Sequence, residues 1–260
     1  MRIVLLLTIL LLPLTSHALD FQHRDTVLLT DINGITSGRL GRTVGVNQGS
    51  VFMGAPEQDG LAGATYLFRI NDQRLMEFEQ ELVPQDPPGG FYGGAIVTDG
   101  DLAAVGYGSR DLVEIYLRNG ADWALSKAIP TPSIDGVTVR GFGQKIDLEG
   151  DFLVVGDPTA NVGANANAGV VMIFGRNTGG ANNWGLITHF LDENPPENPV
   201  FPSSVAISDD LMVAGDAPND RALLYRRSGD TWAFEKNLQP EQMEVDDSFG
   251  VSVEAEGDYI

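Results

Sequence analysis

The chain has 260 residues, with 16 Lys+Arg against 36 Asp+Glu for a formal net charge of −20, and no cysteine. A field of that sign repels nucleic-acid phosphates and anionic lipid headgroups, so neither is an expected partner. Without cysteine there is no disulfide, thiol nucleophile, cysteine-ligated metal or lipidated N-terminal cysteine, and stability must come from a core, which a chain of this length can bury.

Met1 and Arg2 precede an apolar run, Ile3 to Leu14, followed by the small-x-small site Ser16-His17-Ala18. The pattern predicts a secretory signal peptide over 1–18, hence a secreted or periplasmic protein. The run is shorter than the roughly 20 apolar residues a spanning helix needs, which reads against a membrane anchor. Beyond it, Phe21 stands as far before Leu40 as Trp123 stands before Phe142, so 20–37 is expected to supply the closing fourth strand of a repeat.

From Leu40 onward one pattern recurs with a period of about 50 residues, a length that points to propellers or arrays. The turn residues Gln48, Gly100, Gly150, Asp209 and Gly257 align, each preceded at a constant offset by a large residue: Leu40, Tyr92, Phe142, Phe201 and Phe249. Before each turn, alternate positions are apolar, as in Val44 and Val46 or Ile146 and Leu148, which predicts a half-buried first strand. After it comes a continuous apolar run such as FLVV at 152–155, suited to a second strand covered on both faces. Each full run closes on a glycine, Gly54, Gly106, Gly156 or Gly215, where a side chain would collide or φ must turn positive.

The third strand ends on an aromatic residue followed closely by arginine: Phe68 and Arg69, Tyr116 and Arg118, Phe174 and Arg176, Tyr225 and Arg226. The fourth opens on Leu75, Trp123, Trp184 or Trp232. Four strands per repeat is what a propeller blade requires, because one small sheet cannot bury both its faces and a ring of them can. The expected fold is therefore all-β: a β-propeller of four-stranded blades, with full repeats near 40–91, 92–141, 142–200 and 201–248. A split, incomplete fifth would combine 249–260 with 20–37, all within one domain over 19–260. The last repeat stops inside its second strand, so the chain reads as a fragment of a longer product. The loop at 157–169 is expected on the surface and 191–200 as a Pro-rich connector.

Phe142-Gly143 followed by Gly156-Asp157-Pro158, and Leu40-Gly41 followed by Gly54-Ala55-Pro56, resemble the FG-GAP repeat of integrin α-subunit propellers and their bacterial secreted relatives. Gly150-Asp151, Val154-Val155-Gly156 and Trp184 resemble the fuller bacterial form. The resemblance implies the propeller and, in integrins, calcium. The D-x-[DN]-x-[DN]-G loop that would hold calcium is absent, and turns such as Leu148-Glu149-Gly150-Asp151 are too tight for about six oxygen ligands. No metal or other cofactor is expected.

The histidines His17, His23 and His189 form no Ser/His/Asp pattern, and G-x-S-x-G is missing. Asp157 and Asp216 occupy equivalent places and could bind a cation or sugar hydroxyl if their loops converge; otherwise each caps its own loop. The series Asp216-Ala217-Pro218-Asn219-Asp220 offers a further cation candidate, and the tryptophans could stack on sugars or pack between blades. No catalytic, cofactor or metal residue is assigned. The expectation is a secreted, non-enzymatic recognition, adhesion or scaffold module that binds a protein or glycan through loops on one face. The alternatives are a propeller polysaccharide hydrolase or lyase with carboxylates at its channel, and a truncated product without function.

Overall fold

The computed structural model describes residues 38–73, 75–84, 90–110, 112–120, 122–192, 200–242 and 247–260. The expected signal peptide, the closing strand over 20–37 and the middle of the Pro-rich connector lie outside these.

The described chain forms four antiparallel four-stranded sheets, one per repeat. Blade 1 holds β1 (Thr43–Asn47), β2 (Ser50–Ala55), β3 (Ala64–Ile70) and β4 (Met76–Leu82), with the single turn α1 (Gln58–Leu61) between β2 and β3. Blade 2 holds β5 (Tyr92–Asp99), β6 (Leu102–Tyr107), β7 (Leu112–Asn119) and β8 (Asp122–Pro130). A two-residue strand, β9 (Val137–Thr138), leads into blade 3: β10 (Lys145–Glu149), β11 (Phe152–Asp157), β13 (Val170–Gly175) and β14 (Gly185–Phe190). Blade 4 holds β15 (Val205–Ser208), β16 (Leu211–Asp216), β17 (Arg221–Ser228) and β18 (Thr231–Leu238). Each sheet keeps its strands in sequence order, so the fold is a succession of blades, as the pattern predicts. The aligned turn residues share positive φ, Gln48 +45°, Gly100 +53°, Gly150 +56°, Asp209 +51° and Gly257 +56°. The equivalence therefore holds even where glutamine or aspartate must enter the left-handed region.

The core is built between blades rather than within them. Leu153 and Val155 of β11 pack toward blade 2 with Ala104 and Val113, whereas Val154 packs toward blade 4 with Val205 and Met212. This alternation is why the second strand is apolar at every position. Trp123, Trp184 and Trp232 are buried, and Trp123 meets Phe52 of blade 1 edge-on at 5.0 Å while Trp232 meets Phe152 of blade 3 at 5.9 Å. The tryptophans are thus inter-blade packing, and Arg118 and Arg227 lie over their rings. No described strand precedes β1, and Val44 and Val46 stand 52% and 64% exposed although their counterparts face a neighbouring blade.

Two polar devices join successive blades. At the end of three of the four second strands, a Cβ on Gly54, Gly106 or Gly215 would lie about 2 Å from the carbonyl oxygen of Gly93, Gly143 or Gly250, the glycine after the next blade's aromatic residue, while one on Gly156 would lie 2.4 Å from the Pro202 ring. None of these second-strand glycines has positive φ, so close approach is the reason for glycine. At the opposite end, the residue before each turn reaches the next turn. Asn47 Nδ2 donates to the Gly100 carbonyl (2.5 Å), and Asp99 accepts from the Gly150 amide (2.7 Å). Glu149 accepts from the Asp209 amide, and Ser208 Oγ from the Gly257 amide (2.9 Å).

The 157–169 loop is more ordered than a bare surface loop. Its β12 (Asn161–Val162) pairs with β9, Ala160 and Ala168 are buried, and only the tip at 163–167 is exposed.

Candidate functional site

The first strands β1, β5, β10 and β15 lie side by side and together line one cavity of about 360 Å³ on the axis. Two further cavities adjoin it at the end bearing the loops between second and third strands. One, of about 340 Å³, is walled by Arg42, Pro56, Phe91, Gly108 and Gln144; the other, of about 410 Å³, by Val200, Ser203, Ala217, Pro218 and Val251. Lys145 lines all three. Among the described residues, no aspartate or glutamate lines any of them.

The repeat shows why Lys145 is unusual. Its register position opposite the second-strand glycine is held by Thr43 in blade 1, Ala95 in blade 2 and Ser204 in blade 4. Thr43 Oγ1 donates to the Gly93 carbonyl (2.6 Å) and Ser204 Oγ to the Gly250 carbonyl (3.1 Å), each tying a blade to the next. Blade 3 puts a long amine there instead. Lys145 is half-buried, and neither it nor Arg42 has a side-chain hydrogen bond or ion pair among the described residues. Burial, with the Arg42 guanidinium nearby, lowers the pKa of the Lys145 amine. Such a mouth stabilises an anionic group, which would satisfy both cations without displacing a carboxylate.

The carboxylates singled out by the repeat are engaged elsewhere. Asp157 is fully buried: one oxygen accepts from the Arg140 and Gly141 amides (2.7 and 2.9 Å), the other from the Thr159 amide and hydroxyl (2.8 and 2.7 Å). It therefore caps its loop and ties it to the approach to Phe142. Asp216, also fully buried, accepts from Asn219 Nδ2 (2.8 Å) and Arg221 Nε (2.6 Å), and Arg221 reaches on to Asp192. Its charged partner is thus the Arg221 guanidinium, a cation of the chain itself. Asp220 accepts from the Phe249 amide. Among the described residues no cluster of three or more His, Cys, Asp or Glu side chains is placed to hold a metal. His189 lies in β14 opposite Met172, with no hydrogen bond to a serine or carboxylate among the described residues. His17 and His23 lie outside them.

A second polar cluster escaped the pattern reading. Glu114 of β7, 2% exposed, faces blade 1 at the place where the other blades carry Tyr66, Met172 and Leu223. Tyr107 and Tyr116 donate to its two oxygens (3.1 and 2.6 Å), and Tyr92 lies 2.7 Å from the Tyr116 hydroxyl. Burial raises the Glu114 pKa, and the tyrosine hydrogen bonds pull it part of the way back. The signal was available as one charge inside the apolar run LVEIYL. The cluster is enclosed by Phe52, Leu67 and Trp123 and holds blades 1 and 2 together.

No protein family matches the chain, nor does any curated protein. Solved structures do. A protein from Lactobacillus plantarum superposes with a TM-score of 0.54 at 12% identity, covering 77% of this chain and 57% of its own. A putative 6-phosphogluconolactonase from Bacteroides fragilis gives 0.55 at 13% identity, covering 82% and 56%. Glutaminyl cyclase from Myxococcus xanthus gives 0.42 at 11%, covering 70% and 64%. The chain spans less than two thirds of the length of each. At these identities the likeness shows the fold, a propeller-like arrangement of antiparallel sheets, and no more.

One expectation is corrected here. A leader-like segment, a repeat architecture and a missing catalytic constellation together suggest a chain that is not an enzyme. The fold is also that of a putative lactonase, so the inference from these features to no catalysis does not hold. Propeller sites are assembled from loops and inner strands, and a triad search does not weigh an amine.

Proposed function

We propose that this chain is an exported propeller that binds an acidic ligand, a glycan acid or small organic acid, at the mouth of its channel. The anionic group lies against Arg42 and Lys145. The observation that carries the reading is the lining of three adjoining cavities, which share Lys145, include Arg42 and have no carboxylate among the described residues of their walls. Volumes of about 340 to 410 Å³ fall in the range of small-molecule sites. Export rests on the leader-like segment over 1–18, and the recognition role is in keeping with the FG-GAP resemblance of Phe142-Gly143 and Gly156-Asp157-Pro158.

The test is calorimetric titration with galacturonate and with inorganic phosphate. The wild type should bind at least one, and Arg42→Ala and Lys145→Ala should each weaken binding about 10-fold or more, as expected for losing one charged hydrogen bond. Absence of binding to either probe, or variants that bind as the wild type does, would overturn the reading.

A further inference from the structure

We infer that the Lys145 amine is a nucleophile toward the carbonyl carbon of a small 2-oxo acid whose carboxylate is received by Arg42. This rests on the anionic site proposed above and specifies its ligand further.

The chain has three lysines, Lys127, Lys145 and Lys236. Lys127 donates to Asn183 Oδ1 (3.2 Å), and Lys236 lies exposed in β18. Only Lys145 lines the channel-mouth cavities, and it stands where the repeat otherwise places a hydroxyl or a methyl group. Among the described residues, no carboxylate in those walls holds it as an ammonium ion. Amines become nucleophiles when desolvated beside another cation, because both effects favour the neutral form. The second cation also supplies what a free amine in water lacks, a handle that holds an oxo acid by its carboxylate while the carbonyl faces the nitrogen.

The chemistry balances without any redox partner. The neutral amine forms a C–N bond to the carbonyl carbon, and the oxygen takes up the proton the nitrogen releases, giving a carbinolamine. The C–O bond then breaks as water leaves, giving an imine. The Arg42 guanidinium keeps its proton throughout and acts by position and charge.

The test uses the full chain with glyoxylate and cyanoborohydride, which reduces an imine to a stable secondary amine, followed by peptide mapping. Lys145 should carry a carboxymethyl group at least about 10-fold sooner than Lys127 or Lys236, because the Arg42 guanidinium gathers the glyoxylate carboxylate beside its amine and a charged hydrogen bond is worth about that factor in occupancy. Inorganic phosphate should protect Lys145, and Arg42→Ala should slow its labelling. Lys145→Arg, which has no primary amine at that position, should leave the other two lysines at their slow rate. Equal labelling of all three lysines in a chain that still binds phosphate would overturn this inference while leaving the anionic site standing. Equal labelling together with absent phosphate and galacturonate binding would sink both.

Discussion

Replacing Gly106 with alanine tests how the blades are held. The new Cβ would lie 2.0 Å from the Gly143 carbonyl oxygen and 3.0 Å from its carbon, so blade 3 backbone occupies the space. Ordinary contact requires about 3.4 Å, so blades 2 and 3 must part by more than 1 Å or the Phe142-Gly143 peptide must turn. Neither yields easily: Gly143 is itself at φ +89°, and Phe142 beside it is fully buried against Phe174. Overpacking costs about 1–3 kcal/mol where side chains can adjust, and a backbone obstacle places this case at about 3 kcal/mol or above. For a domain of this size that lowers the Tm by about 6–12 °C in scanning calorimetry. Gly108→Ala, two residues on, is the control. Its Cβ would meet only Phe91 Cβ at 3.7 Å, and its φ is not positive, so its Tm should stay within about 3 °C of wild type. A Gly106→Ala protein that melts with the wild type, or a Gly108→Ala protein that falls as far, would refute the blade-contact reasoning.

Asp147 accepts from the Leu148 and Ile207 amides, and burial pushes its carboxyl up to about 6. Because that lies above the unfolded value, folding stability from this group is complete in acid and falls as pH rises from about 4 through 6, by about 3 kcal/mol. The stability of Asp147→Asn relative to wild type should therefore rise by that amount over the same window in urea melts; a flat difference would contradict the shift. Glu114→Gln removes a buried charge and lets the amide meet the tyrosine hydroxyls; burial raises the Glu114 pKa, so the stability of the variant relative to wild type should rise as pH climbs through the carboxylate range. A loss of stability at every pH would mean the carboxylate carries no penalty. Asp157→Asn turns an NH₂ toward backbone amides and should cost about 2 kcal/mol in chemical denaturation. A variant as stable as wild type would mean the aspartate is not a cap.

Much of the fold was legible because a blade imposes the same local demands each time. A tight turn with positive φ, a strand covered on both faces, a tryptophan wedge and a glycine at the backbone contact all leave residue types at fixed offsets. Asp157 and Asp216 share an offset for the same reason, and the structure gives both of them work inside their loops. The candidate site was not legible, since Arg42 and Lys145 belong to different repeats and meet only when blades 1 and 3 face one axis. What was visible was that Lys145 breaks the series Thr43, Ala95, Ser204, and Glu114 the series Tyr66, Met172, Leu223. Departures from a repeat, more than the repeat itself, pointed to the polar chemistry.

The most direct test of the channel-mouth site is an NMR titration of the full chain carrying carbon-13 at the lysine ε-position, where three lysines give three resolvable signals. Adding inorganic phosphate or galacturonate should move the Lys145 signal and leave Lys127 and Lys236 in place, and Arg42→Ala should shift the midpoint of that movement to about 10-fold or more higher ligand. A Lys145 signal that stays still with both ligands, or that moves no more than that of exposed Lys236, would contradict the account.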